Sequence, residues 1–178
     1  MTKRLESVTN IAILIAALIA SAVLVRNYLL SGPGRGLPPQ VAVGETFALA
    51  DVDWKGNGNT LVLALAPGCD SCSESAPFYR RLMAELAAQR IHLTAVLPET
   101  VEESREYLRD LNVEIGDVRQ GSFELLKIGG TPTLILVDEQ GLVRNVWLGR
   151  FPPDKEQQVI DIIREAVGLA SGRSEYRL

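Results

Sequence analysis

Apolar positions along this chain follow three different rhythms. Ile11 to Val25 is one continuous apolar run with Ser21 as its only hydroxyl residue, and Val8, Tyr28, Leu29 and Leu30 extend it at either end. Further on, short apolar runs stand between turn residues. Leu61 to Ala66 and His92 to Leu97 are predicted to be strands buried on both faces. Thr46 to Trp54 alternates loosely and predicts a strand, closed by a turn over Lys55-Gly56-Asn57-Gly58-Asn59. Leu134 to Val137 and Leu142 to Trp147 flank Asp138-Glu139-Gln140-Gly141, the pattern of an antiparallel hairpin. The third rhythm is helical. After Cys72, Phe78, Leu82, Met83, Leu86 and Ala87 recur three and four apart. Thr100 to Leu111 predicts a helix opened by a Thr100/Glu103 capping box, with Glu102, Glu106 and Arg109 on its solvated face. Ser122 to Leu126 predicts a further helical turn or two. Asp154 to Val167 predicts an amphipathic helix with Val159, Ile160, Ile162 and Ile163 on its apolar side.

The order is strand, strand, helix, strand, helix, hairpin, helix, with no internal repeat. A βαβ unit followed by a ββα ending argues an α/β fold with a mixed central sheet and helices on both faces. The chain divides into a tail over 1–10, an apolar segment over 11–30, a linker over 31–42, a domain over 43–168 and a flexible tail over 169–178. The linker contains Ser31-Gly32-Pro33-Gly34-Arg35-Gly36-Leu37-Pro38-Pro39, which fits neither helix nor central strand.

Counted from Val8 to Leu30, the apolar segment at ~1.5 Å per residue is long enough to cross a hydrocarbon core of about 30 Å. Arg26 can reach the headgroups and Tyr28 suits the interface. A cleaved signal peptide is the competing reading, with Lys3 and Arg4 as its basic region and Ala20-Ser21-Ala22 as its cleavage site. The apolar run continues past that site through Val25, which favours an uncleaved transmembrane anchor. Lys3 and Arg4 on one side and Arg26 and Arg35 on the other leave the orientation open on charge alone.

Composition narrows the function. Apolar residues make up 47% and charged residues 22% of the 178, which places the chain among globular proteins. The net charge is −4, and residues beyond 31 carry 15 basic against 21 acidic side chains, so no basic face for nucleic acid is expected. A single histidine excludes two-histidine metal motifs, and two cysteines exclude a four-cysteine zinc site.

Both cysteines lie in Pro67-Gly68-Cys69-Asp70-Ser71-Cys72, between a predicted strand and a predicted helix. The spacing puts the first sulfur at a helix start, where free N–H groups and the helix dipole favour a thiolate. The second lies one turn further in, able to close a disulfide with the first. Cys69 is thus the candidate nucleophile and Cys72 the candidate resolving thiol of disulfide exchange. Asp70 beside Cys69 opposes thiolate formation and should make the pair more reducing. As a structural staple the bridge closes too short a loop, about 2 kcal/mol against ~3 kcal/mol for a 15-residue loop. A zinc site lacks two ligands, His92 on another strand being the one soft candidate. A second cluster, Gly129-Gly130-Thr131-Pro132-Thr133, precedes the hairpin. Its proline marks an edge position or, in combination with the cysteine pair, a cis Thr131–Pro132 peptide that turns the chain beside the sulfurs.

These features resemble the thioredoxin-like proteins, specifically the membrane-anchored TlpA/ResA-like redoxins. The resemblance covers about Val43 to Gly168 and rests on Cys69-Asp70-Ser71-Cys72, Pro77, Gly130-Thr131-Pro132-Thr133 and the Val137-Asp138…Gly141 hairpin. It implies a thioredoxin-like fold and dithiol–disulfide exchange with no cofactor beyond a redox-active Cys69–Cys72 disulfide. It also implies a cis Pro132 and pairing of substrate backbone beside Thr131 and Pro132. By the same resemblance the domain is extracytoplasmic (periplasmic), the amino terminus cytoplasmic and the bilayer crossed by residues 11–30. The partners are then disulfide-containing extracytoplasmic proteins and a membrane dithiol electron donor, without nucleic acid.

The sequence departs from that family in three places. Gly68 replaces the usual Trp before the first Cys, Leu63 replaces a buried acidic residue, and Ser75 occupies the place of a Glu three residues after the second Cys. Glu74, adjacent, is the candidate for handling the proton of Cys72, and Pro77 should kink the helix. Two other functions share the fold: a peroxidase, whose Pro-x-x-x-Thr/Ser-x-x-Cys loop Pro67 stands too close to Cys69 to match, and a copper or metal chaperone or scaffold, which would place a histidine in a late loop where this chain's His92 lies in an early strand.

Overall fold

Thr60–Ala64 forms β1, and all five of its residues are buried. In this computed structural model, the described residues are 40–174 apart from 88 and 90, together with Ser21. The expected tail over 1–10, the anchor over 11–30 apart from Ser21, and residues 31–39 of the linker lie outside them. Among the described residues no helix is long and apolar enough to cross a membrane.

Four further strands join β1: β2 (His92–Leu97), β3 (Asp117–Gln120), β4 (Thr133–Val137) and β5 (Val143–Leu148), in the order β3-β2-β1-β4-β5. The β1–β2 and β2–β3 pairs are parallel, whereas β1–β4 and β4–β5 are antiparallel. The parallel pairs are joined by α2 (Asp70–Glu74) with α3 (Ala76–Leu86), and by α4 (Val101–Asp110); α1 (Trp54–Asn57) precedes β1 and α5 (Pro153–Ser174) follows β5.

Period-two alternation along β1 divides the core. Leu61, Leu63 and Leu65 face one cluster, which takes in Phe78, Leu82 and Leu86 of α3, Leu108 of α4, and Val159, Ile160 and Ile163 of α5. Val62 and Ala64 face the other, built from Phe47, Leu49, Leu126, Ile128, Ile135 and Val137. The expectation of helices on both faces therefore needs correcting. The three long helices share one face: α3 and α4 because both parallel crossovers step in the same direction along the sheet and share one hand, and α5 because its Val159, Ile160 and Ile163 pack into the same cluster. Among the described residues, the second face is covered by the segment from Val41 to Trp54 and by the turns around Phe123 to Ile128.

Three local expectations also change. Thr46 to Trp54 is not a strand: it makes one bridge, Thr46 to Leu142, and leads into α1, which Asp53 caps by accepting from the Gly56 N–H. Phe47 and Leu49 alternate because the segment lies along the sheet's face, where period two buries side chains as it does within a sheet. Ser122 to Leu126, as expected, closes a single helical turn, in which the Leu126 N–H donates to Ser122 O at 3.0 Å, and it stops at Lys127, whose φ is +54°. The packed unit begins before Val43, since Val41 is buried and its N–H donates to Lys127 O. Finally, α5 runs through Ser174, past both Val167 and the expected tail boundary, because a glycine inside a helix weakens it without ending it.

Candidate active site

The site is assembled where β1 ends. β1 leaves the sheet at Ala64, and the chain turns through Gly68, whose φ of +74° reverses its course before the helix. Cys69 is the N-cap residue of α2, and its sulfur accepts from the Cys72 N–H at 3.1 Å. Cys69 and Cys72 are joined as a disulfide with Cα atoms 5.2 Å apart. The two sulfurs differ in access: Cys69 is half-buried, whereas Cys72 is 0% exposed and belongs to the helical-face cluster.

α2 and α3 are separated only at Ser75, whose backbone stays right-handed helical (φ −88°, ψ −2°). The interruption has a chemical cause. Pro77 has no N–H, so the carbonyl of Ser73 loses its partner four residues on. Pro77 accordingly stands in the first turn of α3, where a missing donor costs nothing, rather than inside one long helix.

The second constellation arrives from β4. The Thr131–Pro132 peptide is cis, and the Thr131 carbonyl oxygen lies 3.5 Å from Cys69 Sγ, so residues 62 apart in sequence meet. The turn is pinned on both sides: Thr133 Oγ1 donates to Gly130 O at 2.6 Å, and the Gly149 N–H donates to Pro132 O at 2.7 Å. Thr131 is half-buried and Pro132 buried, so this edge of the site offers backbone and the Thr131 side more than the proline ring.

Glu74 is elsewhere. Its exposed carboxylate pairs with Arg150, in the loop between β5 and α5, while Cys72 faces the interior. Arg150 went unnoticed in the sequence because an ion pair between residues 76 apart leaves no local pattern. Around Cys72 the surroundings are apolar but for hydroxyls. Ser75 is buried and donates to Ser71 O at 2.7 Å. Tyr79 is buried one helical turn on, and burial pushes its phenol well up, with the Ser75 hydroxyl pulling down and Tyr107 adding to the rise.

His92 begins β2, and its Nε2 lies 3.0 Å from Asp117 Oδ2, on the far strand pair from the cysteines. Thr94 Oγ1 and Arg119 Nε donate to the same carboxylate at 2.9 and 3.0 Å. Among the described residues no group of three His, Cys, Asp or Glu side chains is arranged to hold a metal ion.

The fold is thioredoxin-like. A Chlorobium tepidum protein described as a candidate thiol:disulfide interchange protein, DsbE, superposes with a TM-score of 0.59 at 19% identity, over 72% of this chain and 99% of that one. The thioredoxin domain of a thiol-disulfide oxidoreductase from Bacteroides vulgatus gives 0.56 at 16%, over 72% and 99%. A second Chlorobium tepidum thiol:disulfide interchange protein of the thioredoxin family gives 0.51 at 19%, over 72% and 97%. No family model and no curated protein matches the sequence.

Proposed function

We propose that this chain is a thiol–disulfide oxidoreductase that exchanges disulfides with proteins through Cys69 and Cys72. The observation that carries the reading is the meeting of a half-buried sulfur at a helix N-terminus with the Thr131 carbonyl beside a proline turn. A half-buried backbone edge at Thr131 beside a reactive sulfur gives an extended substrate both something to pair with and something to react with. Cys69 is the nucleophile, because it is accessible and its sulfur accepts an N–H that a thiolate would bind more strongly. Cys72 is the resolving thiol, one turn deeper and out of a substrate's reach. Thr131 and Pro132 form the docking edge. Asp70 biases the pair towards donating electrons.

The resemblance to TlpA/ResA-like redoxins supports a finer reading. Residues 11–30 anchor the chain in a membrane, the domain works on the extracytoplasmic side, its substrates are exported proteins carrying disulfides, and a membrane dithiol resupplies its electrons. In this reading Glu74 holds Arg150 and the helix to its neighbouring loop, and another group handles the proton of Cys72.

Reduction of a protein disulfide with dithiothreitol as electron source tests the assignment. The full chain should catalyse it and Cys69→Ser should not. Equal rates for the two proteins, or turnover of hydrogen peroxide in place of disulfides, would overturn it. Accessibility to a membrane-impermeant thiol reagent in intact cells tests the topology.

A further inference from the structure

When the substrate's mixed disulfide with Cys69 is resolved, Cys72 must first lose a proton, and it does so in an apolar interior with no carboxylate at the position three residues on, where Ser75 stands. A buried thiol with nowhere to send its proton is a poor nucleophile, since only the thiolate attacks. The structure nevertheless carries a run of polar atoms away from it. Cys72, Ser75 and Tyr79 are three and four residues apart along a path that stays helical, with Ser75 N–H to Ser71 O and Tyr79 N–H to Ser75 O both at 3.1 Å. They therefore share a face, and a helical side chain leans back over the preceding turn, which brings the Tyr79 ring towards Ser75.

Tyr79 is 2% exposed, and among the described residues its hydroxyl makes no hydrogen bond, while the Ser75 hydroxyl one turn back donates to Ser71 O and keeps its acceptor lone pairs. The Tyr107 hydroxyl and Glu99 Oε2 are likewise buried without partners. Three such groups in one interior are costly unless they serve each other in another state. Tyr107 packs against the same buried cluster that holds Cys72 and Tyr79. Burial raises its phenol, Ser73 pulls it down and the Glu99 charge adds to the rise, while Tyr107 in turn pushes the Tyr79 phenol up. Glu99 follows β2, at the same end of the parallel β1–β2 pair as the cysteines, and as a residue it is only half-buried, so it reaches from the interior to solvent.

We propose that Ser75, Tyr79, Tyr107 and Glu99 form the route by which the Cys72 proton leaves, with Glu99 as its acceptor and Tyr79 as the residue that positions the chain of hydroxyls. The inference rests on the exchange reading above. In the step concerned, the Cys72 thiol passes its proton along the hydroxyls to the Glu99 carboxylate. The Cys72 sulfur attacks Cys69 Sγ and forms the Cys69–Cys72 bond as the Cys69–substrate bond breaks. The departing substrate thiolate takes up a proton from solvent, to which Glu99 returns the one it received. Two electrons pass from the dithiol to the substrate over the full cycle.

The reduced full chain, mixed with an aromatic disulfide that releases a coloured thiolate, reports the two sulfurs separately. The first release reads the attack of Cys69, the second the resolution by Cys72. Near neutral pH, Glu99→Gln and Tyr79→Phe should keep the first phase and slow the second by about tenfold or more. Raising the pH should restore the second phase as hydroxide replaces the route. The titratable groups around Cys72 are Cys69, Tyr79 and Tyr107 in or against the core cluster, the half-buried Glu99 after β2, and the exposed Asp70 and Glu74 on α2, Glu74 being held by Arg150. Glu99→Gln, at the half-buried end, preserves shape and is the deciding variant if Tyr79→Phe does not fold. An unchanged second phase in Glu99→Gln, or equal slowing of both phases without recovery at high pH, would overturn the proposal. Absence of the first phase from the native chain would instead remove the exchange reading itself.

Discussion

Gly68, immediately before the cysteine pair, has a φ of +74°, a left-handed conformation that a side chain there would strain. A Cβ built there meets nothing within 4 Å, so the constraint is in the backbone and not in space. Gly68→Ala should therefore cost about 1 kcal/mol through the left-handed conformation alone, measurable by urea denaturation. Asp117 gives a second expectation. Desolvation raises its pKa, but hydrogen bonds from His92, Thr94 and Arg119 outweigh it, and the carboxyl is held below its ordinary value. A depressed carboxylate stabilises the fold fully above its unfolded pKa of about 4 and loses that contribution as pH falls through the lower folded value. The stability difference between the native chain and Asp117→Asn should thus be constant just above that range and shrink on acidification, as denaturation at a series of pH values would report. At this scale the sequence was informative about Cys69, Cys72, Thr131 and Pro132, because a short motif states its spacing outright. Tyr79 was not legible: at helical spacing between Phe78 and Leu82 it reads as one more core position, and a hydroxyl's lack of a partner is a property of three dimensions.

Among the elements, α4 was the most legible, because its start is written in the chain. Thr100 Oγ1 accepts from the Glu103 N–H, and the Glu103 carboxylate accepts from the Thr100 N–H at 3.1 Å. Thr100→Ala should lower stability by about 1 kcal/mol, seen as a lower thermal midpoint. β3 was not predicted, and its composition shows why. Asp-Val-Arg-Gln has one apolar residue, and only Val118 is buried, so no alternation is long enough to see. It is the last strand on its side of the sheet, and Asp117 and Arg119 give that edge charge, which discourages pairing with other chains. The Thr46–Trp54 segment misleads in the opposite way. Its alternation is real, but period two reports a buried side and a solvent side, not membership of a ladder. Arg119 also ties this segment down, donating to the carbonyls of Ala50 and Asp51, where the backbone turns through φ +57°.

For the molecule as a whole, the sheet divides the core into two clusters, and stability should follow burial in each. Leu136 on β4 is 0% exposed and Leu125, in the turns before it, is 78% exposed. Leu136→Ala should destabilise by about 2–5 kcal/mol and Leu125→Ala by no more than about 0.5 kcal/mol, compared by denaturant midpoints. The mixed α/β class and the hairpin ending were readable from the order of elements. The placement of all three long helices on one face was not, since it depends on which strand neighbours which, and the sequence order β1, β2, β3 reads equally well in other arrangements. That strand order has a consequence for motion. β1 is the middle strand of five, bonded along its length to β2 on one edge and β4 on the other, and the two sulfurs hang from its carboxyl end. The part of the chain that changes chemistry is therefore suspended from the part least free to open. Amide protons of Val62 and Leu63 should trade for deuterium only through global unfolding in either oxidation state, while those in the first turn of α2 should register whether the bridge is closed.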